Sequence, residues 1–231
     1  MVWRGVQDFV VGFGVVAIGV FVPSGLARAA GANPNEMVDT TVSAAALAQM
    51  LAGPGVEVSN VPYTGASDAR GTFAFTDPAV VGMTQGVILS SGNAHDVVGP
   101  NTSDSFSTNW GNPGDGDLTA LSGFPTFDAA VLEFDFVPAA NQVSFQYAFS
   151  SDEYSEWVNT QYNDVFAFFI NGINCAEVRQ VAGDPAAPFV GVAVNNINNS
   201  NPVQFPPPSP MRGSDDCGAF GPLGPTPRGG A

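Results

Sequence analysis

Lysine is absent from this chain of 231 residues, so six arginines are its only permanent side-chain cations. Against them stand 21 acidic residues, for a net charge of −15. A surface so negative repels phosphate backbones and anionic lipid, which argues against nucleic acid and acidic membranes as partners. The single histidine, His95, would have to anchor any hydrolase triad, yet neither Ser90-Ser91 nor Ser150-Ser151 stands in a nucleophile-elbow pattern. Two cysteines, Cys175 and Cys217, with no second pair and no histidine close by, argue against a zinc site. A phosphate-cradling glycine loop and a dinucleotide fingerprint are also missing. Charged residues of all kinds make up only 12% of the chain, about half the ordinary share.

What is abundant is apolar. Hydrophobic residues account for 45% of the chain and phenylalanine alone for 18 positions, far above the range of disordered sequences and enough for one sizeable core. The first 29 residues read as a cleavable leader. Arg4 is a minimal positive start, Phe9 to Val22 is an apolar run, Pro23-Ser24-Gly25 breaks it, and Ala27-Arg28-Ala29 is a small-x-small cleavage site. The alternative is an uncleaved anchor; no later stretch could span a bilayer. Export places the two cysteines in an oxidising compartment, where Cys175 and Cys217 fit one disulfide, two unpaired thiols being the alternative. Closing a loop of about forty residues, it would contribute roughly 3 to 4 kcal/mol.

Residues Thr40 to Ala52 form the only convincing helix. Thr40, Thr41 or Ser43 can cap it, Gly53-Pro54-Gly55 stops it, and Leu47, Met50 and Leu51 make its apolar stripe. Strand patterns follow. Val56–Val61 and Gly71–Phe75 alternate with period two, and Gly86–Ser90 is a short run suited to burial on both faces. In Ala130–Val137, Leu132, Phe134 and Phe136 share one face; Val143–Phe149 repeats the pattern. Asp164–Ile170 is almost wholly apolar, Asn171-Gly172 signals a tight turn, and Phe189–Val194 adds a strand. Ser91 to Gly123 is a polar stretch longer than a plain hairpin loop. No strand pattern survives beyond about residue 204. The architecture predicted is all-β, an antiparallel β-sandwich of jelly-roll-like type with one short N-terminal helix. Its divisions are a leader at 1–29, the β domain at 30–204, and a Pro/Gly-rich tail or truncated end of the domain at 205–231.

Several blocks resemble a known family. Gly86-Val87-Ile88-Leu89-Ser90-Ser91-Gly92, Gly99-Pro100-Asn101 and Gly114-Asp115-Gly116-Asp117-Leu118 come first. Asp128 to Pro138, Phe145 to Glu156 and Tyr162 to Phe166 follow, with Val58-Ser59-Asn60 and Tyr63-Thr64-Gly65 upstream. Together they resemble the choice-of-anchor L domain over roughly residues 40 to 200. The resemblance implies an extracellular bacterial domain, held at the surface in its relatives by differing C-terminal anchors, with no enzymatic activity attached. It also implies further strands beyond the second cysteine region, where this chain has its Pro/Gly-rich end.

Between Arg70 and Arg179 lie thirteen Asp and Glu residues and no cation of the Lys or Arg type. Asp115 and Asp117 form one acidic loop, and Asp152, Glu153 and Glu156, with Asp164 nearby, form a second. Their oxygen density suits calcium, which takes six to eight oxygen ligands. The competing role is to cap turns by accepting backbone N–H groups. Trp110 and Trp157 stand in polar loops and would stack on sugar rings if they share an exposed face. Glu133 and Asp135, about 7 Å apart along one strand, are the carboxylate pair that a glycan hydrolase would need. The function expected is a secreted or cell-surface, non-enzymatic module for adhesion or extracellular ligand binding, possible calcium its one cofactor. A carbohydrate-binding module and a glycan-active hydrolase are the alternatives.

Overall fold

The computed structural model describes residues 5–12, 15–19, 38–75, 84–98, 108–137, 146–151, 153, 157–180, 186–197 and 221–222. Strands β1 (Gly5–Gly12), β2 (Val15–Gly19) and β3 (Val38–Asp39) come first, then helix α1 (Ala44–Ala52). Strands β4 (Glu57–Ser59), β5 (Tyr63–Thr64), β6 (Arg70–Ala74) and β7 (Gln85–Ser90) lead to helix α2 (Gly116–Ser122). Then come β8 (Ala130–Val137), β9 (Gln146–Ser150), β10 (Val165–Ile170), β11 (Ile173–Asn174), β12 (Glu177–Arg179), β13 (Phe189–Ala193) and β14 (Gly221–Pro222).

These strands make two sheets. The first runs β12-β13-β10-β1-β8-β4, with β11 also on β10 and β5 also on β8; the second runs β14-β9-β2-β7-β6-β3. Every pairing is antiparallel except β14 with β9. The expectation of a mostly β, antiparallel architecture holds, and neither sheet closes into a barrel.

Alternation of side chains explains the core. Leu132, Phe134 and Phe136 of β8 are buried, whereas Glu133 and Asp135 between them are only half-buried. β10 is buried at all six positions and β7 at its last five. One apolar cluster draws Leu132, Phe134, Phe166 and Phe168 from the first sheet and Val87, Leu89, Tyr147 and Phe149 from the second. Helix α1 adds Leu47, Ala48 and Leu51 to it. Of the possible caps, Ser43 serves, its hydroxyl accepting the Ala46 N–H at 3.2 Å. Gly53 ends the helix with φ 83°, a conformation that favours glycine. Between β10 and β11, Asn171 (φ 51°) and Gly172 (φ 78°) form the expected tight turn, setting Ile170 opposite Ile173.

Three expectations need correction. Helix α1 starts at Ala44 rather than Thr40, and its Met50 is 39% exposed while Ala48 takes the buried place. A second helix, α2, lies in the stretch read as an acidic loop. A short strand, β14, lies beyond residue 204. In the full chain, parts of the apolar run read as a leader pair as strands, β1 between β8 and β10 and β2 between β7 and β9. Residues 143–145 of the predicted strand, and the tail but for β14, fall outside the described residues.

Tyr147 is buried in the shared core, 5.0 Å from the Phe166 ring, and its hydroxyl has no hydrogen-bond partner among the described residues. Burial pushes its phenol far above the usual value. A buried hydroxyl without a partner costs about 1–3 kcal/mol. Tyr147→Phe is therefore expected to leave stability unchanged or raise it by about 1 kcal/mol in urea denaturation. Leu132→Ala in the same core should cost about 2–5 kcal/mol.

Candidate functional site at one end of the sheets

Registers place the polar loops together. Val11 of β1 lies opposite both Ala130 and Phe166, so β8 and β10 begin at the same end of the first sheet. Val15 of β2 lies opposite both Ser90 and Ser150, so β7 and β9 finish at one end of the second. Since β1 ends at Gly12 and β2 starts at Val15, these two ends are the same end of the molecule. A side-chain bond joins the sheets there: the Ser151 hydroxyl, after β9, donates to buried Asp164, just before β10. The 3-10 turn Ala94–Val98, the segment 108–128, residues 157–164 and residues 194–197 all belong to this end.

Its carboxylates act largely as internal fasteners. Asp128 is buried with φ 51°, and its two oxygens accept the Trp110 N–H at 3.1 Å and the Asn112 N–H at 2.6 Å. Asp115 caps α2, one oxygen accepting the N–H groups of Asp117 (2.8 Å) and Leu118 (3.0 Å). Asp117 sits exposed in the first helical turn, where the partial positive charge of the helix favours it. Gly114 is required just before: a Cβ there would meet the Thr126 carbonyl oxygen at 1.9 Å. The Gly-Asp-Gly-Asp-Leu block is thus a helix start, with Leu118 buried behind it.

Asparagines fasten the other side. Asn163 donates from its side chain to the Ser122 carbonyl at the end of α2 (3.0 Å) and accepts the Asn195 N–H (2.9 Å). Asn195 donates to the Thr160 carbonyl (2.9 Å) and accepts the Asn159 N–H (2.5 Å). Asp115 starts α2 and Asn163 binds its last turn, so about 10 Å of helix lies between Asp115 and Asn163. Among the described residues, no three His, Cys, Asp or Glu groups are arranged to hold a metal ion. Asp152 and Glu156 lie outside the described residues. Glu153 donates its N–H to the Ser151 hydroxyl at 3.0 Å, and its carbonyl accepts the Trp157 N–H at 3.1 Å.

The aromatic side chains of this end differ in exposure. Trp110 is half-buried, with its indole N–H enclosed and without a hydrogen-bond partner among the described residues. Trp157 is half-buried and meets the Tyr162 ring edge-on at 4.9 Å. Exposure falls elsewhere: Phe127 is 52% exposed, Tyr162 49% and Phe124 37%. Sequence reasoning missed Asp128, Asn195, Phe124 and Phe127 as members of this end. The Asn-rich run from 195 was a visible signal; the phenylalanines look in sequence like any other core residue.

The remaining candidates lie elsewhere or do other things. Asp135 accepts a 2.5 Å bond from Asn60, whose φ of 49° bends the chain between β4 and β5. Glu133 lies two residues before it on the same face of β8, opposite the face of Leu132, Phe134 and Phe136. Arg70 donates to the Val42 carbonyl (2.6 Å) and lies over the Tyr63 ring at 4.6 Å; Tyr63 in turn donates to the Ala66 carbonyl (2.8 Å). Gly65 fits there because a Cβ would meet the Tyr63 hydroxyl at 2.7 Å and the Ala129 carbonyl oxygen at 2.9 Å. His95 is exposed whereas Ser90 and Ser91 are buried. Cys175 is buried between β11 and β12, its N–H bonded to the Phe168 carbonyl at 2.6 Å. Its expected partner Cys217 lies outside the described residues.

Fold and loop end together define a class: a mostly antiparallel β domain that gathers acidic and aromatic loops at one end of its sheets. Within that class, the chain belongs to the choice-of-anchor L domain family, whose sequence profile matches residues 35–212. No curated protein and no solved structure matches it. Membership indicates a surface-associated, extracellular module of a non-enzymatic family. No helix among the described residues is long and apolar enough to cross a membrane.

Replacing Asp128 tests the fastener role. Asp128→Ala leaves two backbone N–H groups of the loop without their acceptor and should cost about 2–3 kcal/mol in urea denaturation. Asp128→Asn keeps an acceptor and tolerates the left-handed backbone, so its cost should be less than half as large.

Proposed function

We propose that this protein is a secreted or cell-surface binding module, a two-layer β-sandwich whose loop end engages an extracellular protein or glycan. One observation carries the reading. Of the five large apolar side chains most exposed among the described residues, three (Phe124, Phe127 and Tyr162) belong to the loop end. Exposed aromatic rings supply large, rigid contact area for either kind of ligand. The bonds of Asn163 and Ser122 bring the neighbours of Tyr162 and Phe124 together, so these rings flank one area. Carboxylates around them favour cationic or uncharged, hydroxyl-rich partners and disfavour anionic ones.

Binding of the full chain to peptidoglycan, chitin and a lysine-rich protein surface is the direct test. On whichever surface retains the protein, Phe127→Ala with Tyr162→Ala should weaken retention at least tenfold. The thermal midpoint should stay within a few degrees, because both rings are about half exposed. Retention equal to that of the unchanged protein would move the binding face away from this end.

Calcium is not required by this reading, since Asp115 and Asp128 already have backbone donors. The thermal midpoint of the full chain is expected to be the same in millimolar calcium and in excess chelator. A rise of several degrees in calcium would mean that the native state binds the ion preferentially. It would return Asp152, Glu153, Glu156 and Asp164 to the role of ligands.

A further inference from the structure

We propose that the family-matched part of the chain is a strand acceptor: each of its sheets has room for one inner strand, and a single apolar two-strand arch fills both places. In the full chain the occupant is residues 5–19. The match to the family begins at residue 35, yet the middle of both sheets is built from residues before it. Strand β1 makes seven register pairs with β8 and six with β10. Strand β2 makes five with β9 and four with β7. Without the arch, β8 and β10 would stand two strand spacings apart, about 9.5 Å.

That gap cannot be closed by a small slide. Because β8 and β10 are both antiparallel to β1, they are parallel to each other, and β7 and β9 are likewise parallel. Bringing either pair together would require a new parallel register. It would also pull on neighbours already fixed, namely β4 and β5 on the far edge of β8 and β13 on that of β10. Both sheets would have to shift at once, since their side chains share one core and Ser151 and Asp164 tie them. β10 is buried along its whole length, and a buried backbone edge with no partner is strongly disfavoured. The slot therefore selects an occupant by backbone pairing and apolar character. Residues 5–12 and 15–19 match that chemistry, with one charged residue, Asp8, among them.

The reading gives the N-terminal segment two incompatible uses. As a leader it would be removed after Ala29; as the arch it completes the fold. Removal before folding would withdraw an inner strand from each sheet together.

The test uses the full chain with a specific protease site placed between residues 22 and 35, folded first and then cut. The N-terminal fragment is expected to stay with the domain through native size-exclusion chromatography and to leave only in denaturant. A dimer that exchanges its arches would support the same slot. In a second full-chain variant, Val10→Pro with Ala17→Pro, proline removes ladder donors in the inner strands. Hydrogen exchange of β7, β8, β9 and β10 should then accelerate at least a hundredfold. The proposal is overturned if the cut fragment elutes alone while the remainder keeps its cooperative melt and protection. Wild-type exchange in the double-proline variant would overturn it equally. Neither readout depends on ligand binding, so a failure here is distinct from a failure of the loop end as a binding face.

Discussion

Strand β10 is buried at all six of its positions, and a backbone that far from water must place its N–H and C=O groups on neighbouring strands. That constraint organises the first sheet. β10 pairs with β13 and β11 on one side and with β1 on the other, while β1 passes the ladder to β8. The second sheet repeats the arrangement around β2. Because Phe166 and Phe168 meet Val87, Leu89 and Phe149 in one cluster, the position of one sheet fixes that of the other. Helix α1 closes this core with three side chains and has no polar role in it.

A scarcity of cations shapes the loops as strongly. With no Lys or Arg between residues 71 and 178, a buried carboxylate must find donors other than ammonium or guanidinium groups nearby in sequence. Asp128 and Asp115 find them in backbone N–H groups, and Asp164 finds one in the Ser151 hydroxyl. Arg70 and Arg179 meanwhile donate to backbone carbonyls and lie over aromatic rings, at 4.6 Å for Tyr63 and 4.4 Å for Phe189. Acid-rich loops of this kind look from sequence like cation sites. Here several of the same oxygens hold the loop in shape.

This explains what the sequence made legible and what it concealed. Period-two alternation disclosed β8, and the uninterrupted apolar runs disclosed β7 and β10, because burial on one or both faces writes those patterns directly. The Asn171-Gly172 turn was equally plain, since few residue pairs adopt two left-handed conformations in succession. Helix α2 was concealed by its brevity: seven residues offer only Leu118 and Leu121 as an apolar face. Its aspartate cap reads as an acidic loop until the acceptor geometry is seen. The N-terminal strands were concealed for another reason. An unbroken apolar run carries no period, so leader, buried strand and membrane segment share one signature. The loop end could be anticipated only in part. Trp110 and Trp157 drew attention as aromatics in polar surroundings, but exposure depends on which side of a loop faces the core, and that belongs to tertiary structure.

The loop end and the inner strands are not independent parts. The starts of β8 and β10 carry the segments ending at Asp128 and Asp164, and both strands take their spacing from β1 between them. β1 ends and β2 begins at that same end. A change in the occupancy of the inner positions would therefore alter first the separation of the two loop groups that Asn163, Ser122 and Asn195 hold together. Phe124 and Tyr162 lie on opposite sides of that seam. Both precede strands of the first sheet, β8 and β10, so the spacing of the two rings follows from β1 between those strands.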